Sequence, residues 1–182
     1  LLSRRQRQMC IRDRVNIVTL HTWPQAYAFQ AVDRDASRAE HGGDRYRRME
    51  IEYICSHTIA TQSDAGQQLW MMMGDFNSRS RLDNRVYNYP DDDTRLLVHD
   101  YIAEHTPYVD VIAEKHPGEF HTTTHGQSRI DFVYCTQPLC ERITRAEVIA
   151  DDFTEPVRDP GKLSNFYHPS DHRPILVDFD MK

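Results

Sequence analysis

The sequence lacks the features that mark several protein classes. It has no run of about 18 apolar residues, so we expect no membrane-spanning helix. Its seven glycines and nine prolines follow no period, which excludes collagen-like and low-complexity architectures. The four cysteines, Cys10, Cys55, Cys135 and Cys140, form neither a CxxC pair nor a paired zinc spacing. We therefore expect buried or free thiols, and the redox compartment stays open.

The composition is that of a folded domain with an acidic surface. The chain has 182 residues, enough for one domain or part of a larger one, and its nine Tyr, seven Phe and two Trp argue against a disordered chain. The formal net charge is −6. Such acidity disfavours strong binding to duplex nucleic acid, where Lys and Arg must replace counterions. It does not exclude a phosphoester substrate that is held by a metal ion and a few local cations.

The first fourteen residues differ from the rest of the sequence. They are rich in arginine and have no apolar segment of a secretory signal. A solvated basic arm and a nucleic-acid patch are two interpretations, but the stretch resembles translated adapter sequence. We expect residues 1–14 to be a non-native or disordered arm and residues 15–182 to be the C-terminal part of a domain. The localisation stays unknown.

Apolar runs and turn residues predict a mixture of strands and helices. Helices are expected over residues 45–60, with Asp44 as N-cap, and from Thr94 onward, with one more helical turn at 108–114. Residues 22–37 and 151–169 are expected to be loops, and a hairpin turn is expected around Gly126. Strands are expected over residues 15–20 (buried), 69–73, 120–124, 130–135, 145–150 and 174–180. The class is therefore α/β or α+β.

Three polar motifs stand where predicted strands begin or end. The apolar run LWMMM is followed by GDFN, which places Asp75 and Asn77 at a mouth of the sheet, although a plain polar turn has the same composition. Asp131 interrupts the apolar strand of RIDFVY and needs a partner: Arg129 or another basic group in a salt bridge, or a catalytic histidine that it orients. In SDHRP, Asp171 and His172 precede the last strand, where a simple turn is the alternative.

Taken together and in this order, the three motifs resemble those of the endonuclease/exonuclease/phosphatase superfamily, the DNase-I-like metal-dependent phosphohydrolases. The strand that ends in LHTWP is similar to a family strand with a terminal histidine. The resemblance covers about residues 15–179. It implies a two-sheet β-sandwich flanked by helices, the DNase-I-like four-layer fold, incomplete at the N-terminus.

The resemblance also implies catalytic roles. His172 would be the general base or the imidazole that polarises the phosphate, and Asp131 would fix its tautomer. His21 would contact the scissile phosphate or help the leaving group. Asp75 would position or deprotonate the attacking water, and Asn77 would stabilise the phosphoryl oxygens.

The same resemblance implies a Mg²⁺ or Mn²⁺ cofactor. Asp171 would be a direct ligand, and Asp75 and Asn77 would also contribute to the metal site, because these cations prefer oxygen donors. Arg79 and Arg81 follow the GDFN motif and are candidate phosphate contacts, with an exposed turn as the alternative. The substrate is a phosphoester: nucleic acid, sugar phosphate, inositol phosphate or lipid headgroup. We expect a monomer.

One part of the family pattern is missing. The family has an Asn and a metal-binding Glu upstream of the strand that ends in the histidine, and no residue before Val15 matches either. We therefore expect a fragment that is weakly active or inactive. Two other classes remain open: a catalytically dead binding domain, and a zinc-binding module. The histidine pairs that suggest zinc are His121 with His125, His99 with His105 and His168 with His172.

Overall fold

Two β-sheets form the centre of the computed structural model, which describes residues 14–25, 32–40, 42–124, 127–150 and 170–181. The larger sheet has four strands in the order β1-β2-β4-β3, and β5 pairs with β6 in a second sheet. β1 and β2 are parallel, whereas the β2–β4, β3–β4 and β5–β6 pairs are antiparallel. The strands are β1 (Val15–His21), β2 (Leu69–Asp75), β3 (Tyr108–Asp110), β4 (Asp131–Thr136), β5 (Ile143–Val148) and β6 (Ile175–Phe179).

Helices connect most of these strands. The α-helices are α1 (Arg34–Glu40), α2 (Gly42–His57), α3 (Asn84–Tyr87), α4 (Leu97–His105), α5 (Val111–Lys115) and α6 (Gln137–Cys140). Single 3-10 turns lie at Ile59–Thr61, Ala65–Gln67, Arg81–Asp83 and Thr94–Leu96. None of the helices in the described ranges is long and apolar enough to cross a membrane.

The alternation of side chains along β2 divides the core into two clusters. Trp70 and Met72 belong to the cluster that contains residues of α2 and α4. Leu69 and Met71 belong to the cluster that contains residues of β5 and α6, with Met73 packed against it. This is the period of two that a strand buried on both faces requires. The three consecutive methionines are therefore core residues, and the predicted two-sheet fold with helices is confirmed.

The cysteines that the structure describes are free. Cys55, Cys135 and Cys140 are all buried and form no disulfide. Burial raises the pKa of the Cys55 thiol to about 11, so this thiol stays protonated at neutral pH. The expectation of buried or free thiols is confirmed for these three, and Cys10 lies outside the described residues.

One predicted element in the second half of the chain is wrong, and a second one is confirmed only in part. Residues 120–124 form no strand. The backbone N–H groups of Thr123 and Thr124 both donate to the carbonyl oxygen of Ser128, and the Thr122 hydroxyl lies 2.7 Å and 3.0 Å from the carbonyl oxygens of Thr124 and Ser128, so these residues hydrogen-bond locally. β4 already has β2 and β3 on its two sides. The predicted helical turn at 108–114 begins instead with β3, and only the following residues form α5.

Three other expectations need correction near the N-terminal end. Asp44 does not cap α2, which begins at Gly42; its carboxylate accepts from Ser78 Oγ at 2.8 Å and pairs with Arg47 at 3.0 Å. The predicted loop over residues 22–37 contains the start of α1. β1 is a strand but is not fully buried, because it lies at the edge of the sheet and leaves Ile17 58% exposed.

Some expectations fall outside the described residues. These are the arm at residues 1–13, the loop at 151–169, the turn at Gly126, and two of the histidines proposed for zinc, His125 and His168.

Candidate active site

Three of the predicted site residues lie side by side across the larger sheet. In the strand register, His21 of β1 is opposite Asp75 of β2, and Asp75 is opposite Asp131 of β4. Directly paired residues project to the same face of a sheet, so the register alone gathers these three side chains. His21 Nε2 lies 3.6 Å from Asp75 Oδ2, with the imidazole 65% exposed.

Gly74 allows β1 and β2 to approach closely just before this row. Its φ is +144°, and a Cβ at this position would lie 1.8 Å from the carbonyl oxygen of Leu20. No side chain fits in that space, and L-residues rarely adopt this conformation. The glycine of the GDFN motif therefore has a steric role: it places Asp75 at the end of β2, opposite His21.

The residues after β2 fix the orientation of Asp75. Asn77 has a left-handed backbone with φ of 47°, which asparagine tolerates, and its N–H donates to Asp75 Oδ1 at 2.8 Å. The Asn77 side chain donates through Nδ2 to the carbonyl oxygen of Thr22 at 3.2 Å. Asp75 Oδ2 is thus the oxygen that faces His21 and His172.

His172 reaches the row from the segment that precedes β6. Its Nδ1 lies 2.9 Å from Asp131 Oδ2 and 3.1 Å from Asp131 Oδ1, so Nδ1–H donates to the carboxylate. Its Nε2 lies 4.0 Å from Asp75 Oδ2 and 3.8 Å from Asp171 Oδ1, which exceeds hydrogen-bond length. Asp75, Asp131 and His172 each offer one atom that could bind a metal ion, and these three atoms lie within 4.8 Å of one another.

The pKa values of the Asp131–His172 pair reflect burial and charge. Partial burial alone lowers the pKa of His172, but the hydrogen bond to Asp131 and the charges of Asp131, Asp75 and Asp171 together raise it above its ordinary value. Burial is the main cause that raises the pKa of Asp131, opposed by hydrogen bonds from Thr123 and His172. The two shifts therefore have different causes: the surrounding carboxylates raise the pKa of His172, whereas burial raises that of Asp131.

Thr123 is a positioning residue that the sequence did not reveal. Its fully buried hydroxyl oxygen accepts from the backbone N–H groups of Ile130 and Asp131, each at 3.1 Å. Its carbonyl oxygen accepts from the N–H of Arg173 at 2.7 Å. Thr123 therefore ties the start of β4 to the segment that carries His172. A threonine in a predicted strand gives no signal of this role.

The other predicted site residues lie outside the group formed by Asp75, Asp131 and His172. Asp171 is next to His172, but its side chain is 82% exposed. Arg79 donates to Ser128 Oγ at 3.0 Å, in the segment that leads to β4. Arg81 pairs with Asp100 at 2.7 Å, and its role as a phosphate contact stays a prediction.

Arg129, one of the expected partners of Asp131, does not pair with it. Its guanidinium donates to Asp83 Oδ2 at 2.8 Å and to both oxygens of Asp110. All three side chains are buried. We call Arg129, Asp83 and Asp110 the buried charge triad. Because Arg129 pairs within this triad, Asp131 pairs with His172 instead. The triad also fixes the position of the chain two residues before Asp131.

Comparisons with known proteins agree with this fold. No protein-family model and no curated protein matches the sequence. An AP endonuclease from Archaeoglobus fulgidus superposes with a TM-score of 0.59 at 19% identity, over 90% of this chain and 61% of that one. A single-site variant of the 3′ phosphatase NExo from Neisseria, bound to product DNA hairpin, gives 0.56 at 15% identity, over 91% and 61%.

The chain thus spans about 61% of the length of either structure. At these identities the likeness concerns the fold, and it agrees with the resemblance of the GDFN, RIDFVY and SDHRP motifs. The chain therefore shares the DNase-I-like fold of these two structures.

Proposed function

We propose that this chain is part of a divalent-cation-dependent phosphoester hydrolase in which His172 and Asp131 assist the attack of water on phosphorus. The convergence of Asp75, Asp131 and His172 from three separate segments carries the proposal. The DNase-I-like fold supports it, because the two superposed structures described above are named an AP endonuclease and a 3′ phosphatase.

In this proposal Asp131 sets the tautomer of His172. Because Nδ1–H donates to Asp131, the lone pair of the neutral imidazole is on Nε2, the nitrogen that faces Asp75 and Asp171. Neutral Nε2 can take a proton from water, and protonated Nε2 can donate to a phosphoryl oxygen. Asp75 keeps one oxygen for water, since Oδ1 accepts from the N–H of Asn77.

The donor set fits a hard divalent cation. Asp75 and Asp171 offer carboxylate oxygens and Asn77 an amide oxygen, which are the ligand types that Mg²⁺ and Mn²⁺ take together with water and substrate phosphate. A bound cation would offset the negative charge of the phosphoryl group and steady the leaving oxygen. Asn77 uses one amide hydrogen for Thr22, which leaves the second one for a phosphoryl oxygen.

Among the substrate classes that the sequence leaves open, we favour a nucleic acid phosphoester. The support is the naming of the two structures above, one of them bound to a DNA hairpin. The formal net charge of −6 argues for recognition of a local phosphate rather than a broad duplex surface. A small phosphoester is the rival substrate class.

The test is hydrolysis by this chain of three probes: a DNA hairpin with a 3′ phosphate, a duplex with an abasic site, and bis(4-nitrophenyl) phosphate. We expect weak turnover of at least one probe. The turnover should depend on Mg²⁺ or Mn²⁺ and stop with a chelator. His172→Gln should abolish it, since a positioned acid or base contributes about 10²–10⁴-fold.

His105→Gln is the matched control, because His105 is an exposed histidine on α4 and should leave turnover unchanged. Turnover that survives His172→Gln, or that survives the chelator, contradicts the proposal. Cation-dependent binding of the DNA hairpin with no turnover at all favours the catalytically dead binding domain instead.

A further inference from the structure

A second group of candidate ligands lies in the segment that follows α5. Donor atoms of His116, Glu119 and His121 all lie within 4.8 Å of one another. We call these three residues the His–Glu cluster. It shares no residue with the candidate active site. The sequence pointed to His121 with His125 as a zinc pair, but the partners that the fold supplies are His116 and Glu119.

A backbone contact fixes the tautomer of His116. Its Nε2 lies 2.7 Å from the carbonyl oxygen of Ala146 in β5. A carbonyl oxygen only accepts, so Nε2 carries the hydrogen and the lone pair of the neutral ring is on Nδ1. An imidazole whose second nitrogen donates to a carbonyl is the usual arrangement of a metal-binding histidine, because the outer hydrogen bond orients the ring.

His121 presents a nitrogen that lacks a hydrogen bond. Its Nε2 is buried and has no hydrogen-bond partner among the described residues. The nearest acidic atom is Glu119 Oε2, at 3.2 Å. Two ligands of a tetrahedral zinc ion with bonds of about 2.0–2.1 Å are about 3.3 Å apart. The observed separation therefore suits two atoms that share one ion.

The two imidazole rings lie close together and are tilted rather than stacked, which is compatible with a shared ligand. Their centroids are 4.8 Å apart, and their planes make an angle of 57°. Glu119 is mostly exposed, so an ion can enter from solvent. Three protein ligands leave a fourth position for water, which is typical of open zinc sites.

From this geometry we propose that His116, Glu119 and His121 form a binding site for Zn²⁺ or a similar transition-metal ion. Two imidazoles and one carboxylate suit zinc, whereas magnesium prefers oxygen donors alone. The hydrogen bond from His116 to Ala146 connects the site to β5. The bound ion holds residues 116–121 against β5, just before Thr123 and the bridge between Thr124 and His172.

The test is calorimetric titration of the full chain with Zn²⁺ in the presence of excess Mg²⁺. We expect one zinc ion per chain at this site. His121→Ala and Glu119→Gln should each weaken it at least about 100-fold, the upper end of the loss that outer-sphere changes cause. Glu119→Gln alters an exposed side chain, so it tests the site even where His121→Ala impairs folding.

His105→Gln and His172→Gln are the controls, and both should retain zinc binding at this site. The Co²⁺ complex of the wild type should show the intense visible bands of tetrahedral coordination, and Glu119→Gln should lose them. Three results overturn the proposal: no zinc binding by the wild type, unchanged binding in Glu119→Gln, or complete loss in His172→Gln. In the first two cases Glu119 and His121 form only an ion pair.

Discussion

Replacing Arg129 by methionine should strongly destabilise the fold. The side chain of Arg129 is 3% exposed, and its partners Asp83 and Asp110 are 5% and 3% exposed. Methionine keeps an unbranched stem of similar length, so the main change is the loss of the positive charge. Two carboxylates would then remain buried without a counter-charge, and burial already raises the pKa of Asp83.

The size of this effect follows from the burial of the triad. Removing one partner of a buried ion pair costs about 3–5 kcal/mol, because an uncompensated charge stays in the interior. A domain is stable by only about 5–15 kcal/mol, so the substitution should consume a large share of the free energy of unfolding. Adding Asp83→Asn and Asp110→Asn should recover part of the loss, since both buried charges are then removed.

The assay is urea unfolding followed by the fluorescence of the two tryptophans, of which Trp70 belongs to the core cluster that contains residues of α2 and α4. Arg145→Met is the matched control, because Arg145 pairs with Glu147 on the surface and its loss should leave the urea midpoint unchanged within error. The reasoning is refuted if Arg129→Met shifts the midpoint no more than Arg145→Met, with equal slopes in urea.

Two further substitutions test local features of the fold. Burial, with the nearby charge of Arg129 adding to it, lowers the pKa of His99 to about 3, so only the unfolded chain takes up this proton as the pH falls below 6.5. His99 should therefore contribute stability that is present above pH 6.5 and lost towards pH 3, about 2 kcal/mol between pH 8 and pH 5. The free energy of unfolding of His99→Gln, measured with urea, should lack this dependence on pH. Parallel pH profiles for the two proteins contradict the prediction. Gly74→Ala should lower the melting temperature strongly, because its Cβ meets the Leu20 carbonyl; a melting temperature equal to the wild type shows that β1 and β2 separate easily.

The sequence predicted the fold class because its strongest signals are local. The run LWMMM and the final strand are apolar stretches bounded by turn residues, and both appear as strands within two residues of the expected bounds. The failure at residues 120–124 has a local cause as well. Threonine favours strands by propensity, but the Thr122 hydroxyl bonds to nearby carbonyl groups, and no propensity scale records that choice.

The residues of the candidate site were predictable, but the contacts between them were not. GDFN, RIDFVY and SDHRP identify Asp75, Asp131 and His172, whereas their meeting depends on the register of β2 with β4 and on the bridge at His172. The sequence also did not predict which ion-pair partner each charged residue has. Arg129 and Asp131 lie two positions apart, yet the fold separates their partners, Asp110 for one and His172 for the other.

The candidate site has an excess of negative charge, as the whole chain does. Three carboxylates, those of Asp75, Asp131 and Asp171, surround the imidazole of His172, and their charges raise its pKa. The same excess of negative charge repels a phosphate and attracts a divalent cation. Under the proposed function, a substrate phosphate would therefore approach these residues together with a cation, which would offset the repulsion between the carboxylates and the phosphate.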